Sequence, residues 1–183
     1  MSRITRVALA IGASVAALAG GVSAAHADEA PATAAGSPSV VQLQAAHSGK
    51  CLTIAGGSLR NGADAVQAKC ADGLDNQLFE LVPGPSATFE LRAEHSGKCL
   101  EVENGSINSG AKAQQWWCVN APHQRWRLVL ADVTKDLYEL HPDHADARCL
   151  DVKSSSKDDG AVIQQWNCNG TTAQQWRIQT VKG

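Results

Sequence analysis

Histidines and closely spaced acids are the residues of this 183-residue sequence that could make or break bonds, so they come first. His47, His95 and His144 each stand four or five positions before a cysteine. Recurrence at three equivalent places points to a turn role rather than to a general base. His141 and His144 flank Pro142-Asp143, a spacing that would also suit a metal ion, although nothing else in the sequence supports one. Asp158-Asp159 and Glu101/Glu103 read as solvated turn or strand charges. A glycosidase needs two acids at a set separation in space, and no sequence pattern places such a pair here. No G-x-S-x-G elbow, H-E-x-x-H helix or phosphate-cradling loop occurs in residues 28–183. No catalytic chemistry is expected, and no cofactor or metal.

The six cysteines carry a different signal. Cys51 and Cys70, Cys99 and Cys118, and Cys149 and Cys168 are each nineteen positions apart, with no C-x-x-C spacing of the metal-binding kind. Six cysteines permit 15 pairings, so their number alone selects none. Three bridges within equal segments are the economical choice, each worth roughly 3 kcal/mol through the constraint on the unfolded chain.

The same spacing reveals how the chain is organised. HSGKCL at His47–Leu52 returns at His95–Leu100 and, as HADARCL, at His144–Leu150. Eleven residues after each first cysteine stands a glycine (Gly62, Gly110, Gly160), followed by VQAKC, QQWWC and QQWNC. Each unit ends on a Gln-x-aromatic element: Gln77-Leu78-Phe79, Gln124-Arg125-Trp126, Gln174-Gln175-Trp176. This is a threefold internal repeat, with units at about 40–83, 84–130 and 131–182.

Positioning these residues falls to short strands punctuated by Gly, Asn, Ser and Asp. Strands are expected at Val40–Ala45, Cys51–Ile54, Val66–Cys70 and Phe79–Val82 in the first unit. Those of the second are Thr88–Arg92, Cys99–Glu103, Ala113–Cys118 and Trp126–Leu130, and those of the third Leu137–His141, Cys149–Lys153, Val162–Cys168 and Trp176–Val181. Twelve strands sharing one core should close into a barrel-like all-β body without a long free edge. Phe79, Trp126 and Trp176 are expected in its core.

Residues 1–27 read as a secretory signal: Arg3 and Arg6, then an apolar stretch, then Ala25-His26-Ala27. Residues 28–39 read as an Ala/Pro/Gly-containing disordered tail, and residues 40–182 as one domain. Without the signal, Arg3 and Arg6 drop out of 16 cations against 18 acids, leaving a net charge of −4. A mildly acidic chain argues against a nucleic-acid partner or a basic membrane anchor, and no stretch reads as a membrane span. The chain is expected to be secreted, where six cysteines can pair.

The three Cys-Leu-x-(Val/Ile) strands, the Gln-x-Trp elements, the period and the cysteine offsets together resemble the ricin-type β-trefoil lectins, including the family 13 carbohydrate-binding modules. The resemblance covers residues 40–181. It implies a β-trefoil of three four-stranded repeats with pseudo-threefold symmetry, a disulfide within each repeat, and up to three sugar sites. It also implies a site recipe: a carboxylate third in Cys-Leu-Asp-Val that accepts from vicinal hydroxyls, and an aromatic two places before the second cysteine that stacks on the ring. A glutamine four places before that cysteine and an asparagine just before Gln-x-Trp fix orientation.

Carried over repeat by repeat, the recipe gives Asp151, Gln164 and Trp166 in the third. Ala173 stands there in place of asparagine, and Asn169 is the candidate to supply the amide. The second repeat offers Glu101, Gln114, Trp116 and His123; its longer acid either reaches a sugar or fills the sugar's space. Gln174 and Gln124 adjoin these two sets, although such glutamines also suit buried backbone groups. Trp117 alternates to the opposite face and is expected in packing. The first repeat, with Thr53, Val66 and Ala68 at the key places, reads as a dead site kept for the fold. Asp151→Ala is expected to abolish binding and leave the thermal transition almost unchanged. Asn104-Gly-Ser and Asn169-Gly-Thr match the glycosylation pattern, and a glycan on Asn169 would crowd the third site. The function expected is a secreted carbohydrate-binding module for a saccharide or polysaccharide. The alternative is a protein-interaction trefoil with degenerate sugar sites, an inhibitor or regulator of a secreted enzyme.

Overall fold

The computed structural model describes residues 39–182. The signal expected at 1–27 lies outside them, as does the expected tail up to residue 38; Ser39 already belongs to the first strand. Twelve strands follow in order. The first repeat holds β1 (Ser39–Ala45), β2 (Cys51–Ile54), β3 (Ala63–Ala68) and β4 (Phe79–Pro83). The second holds β5 (Phe89–Ala93), β6 (Cys99–Val102), β7 (Ala113–Trp116) and β8 (Arg125–Asp132). In the third are β9 (Leu137–Pro142), β10 (Arg148–Val152), β11 (Ile163–Asn167) and β12 (Trp176–Lys182). The first and last strands of each repeat join in the order β12-β9-β8-β5-β4-β1, and β1 pairs antiparallel with β12 to close a six-stranded barrel. The middle strands form three hairpins, β2–β3, β6–β7 and β10–β11. This is a β-trefoil.

The hairpins meet around the pseudo-threefold axis. Ala63 and Asp64 pair with Gln115 and Gln114, and single bridges join Val66 to Val162 and Lys112 to Gln164. That contact explains why β3 runs Ala63–Ala68 rather than Val66–Cys70. Its first residues reach across to the next repeat, and beyond Ala68 the chain turns out toward Cys70. The disulfides are Cys51–Cys70, Cys99–Cys118 and Cys149–Cys168, with Cα separations of 5.0, 5.1 and 5.1 Å. Each ties the start of a hairpin to the chain leaving it.

The core repeats in threes, because equivalent strand positions face the same axis. Leu43, Leu91 and Leu140 form one set, and Leu52, Leu100 and Leu150 another, all buried. Phe79, Trp126 and Trp176 are buried as expected, and each indole N–H finds a carbonyl 3.1 Å away, on Leu100 and Leu150 respectively. The Gln-x-aromatic element thus buries a large ring at no polar cost.

A second threefold set locks repeat to repeat. The side-chain amide of Gln115 donates to the Ser58 and Arg60 carbonyls at 2.6 and 2.8 Å, while His95 Nε2 donates to Ser58 at 3.0 Å. Gln165 and His144 hold the Ser106–Gly110 loop in the same way, and Gln67 and His47 hold Ser156–Gly160. The recurring histidines therefore act between repeats, each on the loop of the preceding one. His141 does not join His144 around a metal. Its two ring nitrogens face the Asp146 carbonyl and Glu139, at 3.0 and 3.2 Å. The ligand-type atoms gathered near it are sulfurs of the Cys149–Cys168 bridge, already bonded to each other.

One partner in this lock varies. Ser48 and Ser96 donate to Gln67 and Gln115 Oε1 at 2.8 Å, but the third repeat has a longer turn without a serine, and Gln165 Oε1 is buried without a partner. Ser96→Ala puts Gln115 in the same condition. It is expected to cost about 1–2 kcal/mol in urea unfolding, with an unchanged m-value.

Candidate functional site

The third-repeat hairpin brings together most of the residues singled out there. Asp151 on β10 is paired in register with Gln164 on β11, and Trp166 lies two positions further along β11. Successive side chains alternate between the two faces of a strand, so Gln164 and Trp166 share one face while Gln165 points to the lock. Asp151, Gln164, Trp166 and Asn169 line one open cavity of about 290 Å³ together with Lys153, Ser154 and Ser155. Lys153 forms no ion pair with Asp151.

Asp151 is buried, and both its oxygens accept: one from Gln164 Nε2 at 2.8 Å, the other from Gln174 Nε2 at 3.1 Å. Burial nonetheless raises its carboxyl above the ordinary aspartate value, against the lowering effect of the two amides and of His47. Here the assignment of Gln174 and Gln124 as sugar contacts is corrected. Both are fully buried. Gln174 reaches Asp151 from beneath, donates also to the Asn167 carbonyl at 3.0 Å, and accepts from the Asn169 N–H at 2.8 Å. It positions the acid and the Asn169 turn instead of meeting a ligand. The expectation that Asp151→Ala spares stability changes with it, since alanine would leave two buried amides short of an acceptor.

Trp166 is 42% exposed. At the Cζ3 edge of its ring lies Gly110 of the preceding repeat, whose φ is +88° and where a Cβ would sit 3.5 Å from Cζ3. The recurring glycine thus makes a left-handed turn that brings the loop against the edge of the tryptophan. Asn169 Oδ1 accepts from the Thr171 N–H and hydroxyl at 3.0 and 2.7 Å, which leaves its amide N–H₂ for the cavity.

The second repeat builds a similar wall. Glu101, Asn104, Gln114, Trp116, Val119 and His123 line a cavity of about 240 Å³. Glu101 is buried and accepts from Gln114 at 2.9 Å and Gln124 at 2.8 Å, with His123 Nε2 3.5 Å away. Its longer chain therefore brings the carboxylate to the same two amides, while Val119 stands where the third repeat has Asn169. Trp117 departs from expectation. It is 61% exposed, with Lys98 Nζ 3.7 Å above its ring, because past Trp116 the strand has ended and the side chain faces outward. In the first repeat Thr53 donates to its own strand at Cys51 O, Gln77 bonds Lys69 and Ala71, and Asn76 donates to Ile54 O at 2.8 Å. The amides stay with the fold, and no acid or aromatic accompanies them.

Barrel, hairpin cap and an acid–amide–tryptophan wall define a trefoil of the lectin type. A family model described as ricin-type β-trefoil lectin domain-like matches residues 32–116, 75–166 and 122–183, and the chain belongs to that family. Among solved structures it is 37% identical to the designed threefold-symmetric protein ThreeFoil (TM-score 0.73), covering 78% of this chain and 99% of that one. It is 28% identical to an exo-β-1,3-galactanase from Clostridium thermocellum (TM-score 0.75), covering 80% of this chain but 31% of the enzyme. It shares the fold of a Macrolepiota procera ricin B-like lectin solved with lactose, at 18% identity and TM-score 0.66, covering 79% and 96% of the two chains. No curated protein sequence matches it.

Proposed function

We propose that this chain is an exported saccharide-binding module, with its principal site in the third repeat and a weaker one in the second. The observation that carries the reading is a buried carboxylate steadied by two glutamines and facing the same cavity as a half-exposed tryptophan. Asp151 accepts from a pair of sugar hydroxyls, Trp166 stacks on the ring's C–H face, and Gln164 and Asn169 fix the sugar's orientation. Galactosides are the first ligands to try, because the related structures include a lectin solved with lactose and a β-1,3-galactan-cleaving enzyme. Export fits the three disulfides, which persist in oxidising compartments. Among the described residues, no helix is long and apolar enough to cross a membrane.

The test is a glycan-array and polysaccharide pull-down with residues 28–183 beside Trp166→Ala. Binding lost in the variant supports the third-repeat site. Full retention would move the site to Trp116, and no binding by the wild type would return the chain to the protein-binding reading.

The raised Asp151 carboxyl gives a second test with opposite signs. Its folded-state value lies above the unfolded one, so the charged form costs stability at high pH and the cost disappears as pH falls through the folded value. Binding needs the charged form. Saccharide affinity is therefore expected to decline on acidification at a higher pH than an ordinary aspartate would cause, without destabilisation from this residue. Titration calorimetry and thermal melts over the same pH series check both signs.

A further inference from the structure

The third repeat has Ala173 where the site recipe has asparagine, and its cavity is lined by a serine that the other repeats lack. The loop after the second strand of each repeat (β2, β6, β10) takes two consecutive left-handed residues: Gly56-Gly57, Asn104-Gly105 and Ser154-Ser155. At the equivalent place just before each Gln-x-aromatic element stand Asn76, His123 and Ala173. A Cβ on Gly57 would lie 3.9 Å from Asn76 Nδ2, and one on Gly105 would lie 3.2 Å from His123 Nδ1. Where the facing side chain is large and polar, the loop residue is glycine. Where the equivalent position holds small, buried Ala173, the loop residue has a side chain, Ser155.

That serine sits in an unfavourable place. Its φ is +50°, a conformation that glycine takes freely and that crowds a Cβ. Nothing in the fold repays it, for the Ser155 hydroxyl makes no hydrogen bond to the protein among the described residues. It is exposed, and it lines the cavity with Asp151, Trp166 and Asn169.

We infer that Ser155 is a specificity-determining residue of the third-repeat site. Its hydroxyl replaces the polar group missing at Ala173 and bonds a saccharide hydroxyl beside the one held by Asp151. The inference rests on the saccharide-binding reading. A hydroxyl both donates and accepts, whereas the asparagine at this place in the first repeat, Asn76, spends its N–H₂ on the Ile54 carbonyl at the end of β2. The third site should therefore discriminate among sugars by a contact that the other repeats do not offer.

The experiment uses residues 28–183 and titrates galactose, lactose, N-acetylgalactosamine and xylose by calorimetry, with thermal melts alongside. Ser155→Ala keeps the backbone conformation and removes only the hydroxyl. It is expected to weaken the best of these ligands roughly tenfold with an unchanged transition. Ser155→Gly relieves the left-handed strain, so its transition rises while its affinity falls to the same degree. Ser155→Gly/Ala173→Asn recreates the Gly57–Asn76 pairing, and some of the affinity returns with an altered order among the four sugars. Wild-type affinity in both single variants overturns the inference, as does a lowered transition in Ser155→Gly, which would make the hydroxyl structural. A wild type that binds none of the four overturns the saccharide reading itself, and this inference with it.

Discussion

Asp151→Asn is expected to weaken saccharide binding by roughly a hundredfold, about 3 kcal/mol, while moving the thermal transition little. The two halves have separate causes. Binding fails because an amide presents one acceptor where a carboxylate presents two, and it carries no charge to strengthen the bonds to hydroxyls. Stability holds because two effects oppose each other. One glutamine donor, Gln164 or Gln174, now faces an N–H₂, at a cost of about 1 kcal/mol. Against that, burial no longer has to desolvate a charge, the effect that raises the native carboxyl. Calorimetric titration with the tightest array ligand, and a melt of the same sample, measure the two separately. A parallel loss of stability and binding would make Asp151 a structural residue.

Gln174→Met is expected to fail differently, losing both fold stability and binding. Methionine keeps the volume, so the change removes polar bonds alone. The Asn169 N–H loses its acceptor, and the Asn167 carbonyl and Asp151 each lose a donor, the first two bonds partly buried and the third buried. The cost is about 2–4 kcal/mol, or roughly 5–10 °C in Tm for a chain of this size. Gln77→Met breaks the matching bonds to Lys69 and Ala71 in the first repeat, and should lower the transition comparably without touching affinity. Equal effects of the two variants on affinity would contradict the division between a live third repeat and a dead first one.

What was legible in the sequence was whatever recurs at fixed spacing. Identical offsets between cysteines, glycines and Gln-x-aromatic elements reach identical positions in a threefold fold, so the barrel, its hairpins and the buried Phe79, Trp126 and Trp176 could be read from one chain. Contacts between repeats could not. His95 bonds Ser58, 37 positions away, and no periodicity says which carbonyl a recurring histidine will face. Gln174 looked like a ligand group because it neighbours the site in sequence, whereas its burial comes from the Trp176 element packing inward. Trp117 looked like packing because strict alternation was extended one residue past the end of β7. Ser155 was invisible for another reason. Its meaning lies in a compensating exchange with Ala173, and only the facing geometry of the other two repeats exposes it.

The most direct test is the indole N–H spectrum of the chain during titration with the tightest array ligand. The five tryptophans give five signals. Trp166 should shift first and Trp116 at higher concentration, while buried Trp126 and Trp176 stay in place. Saturable binding that leaves Trp166 unmoved would contradict the assignment of the third-repeat cavity as the saccharide site.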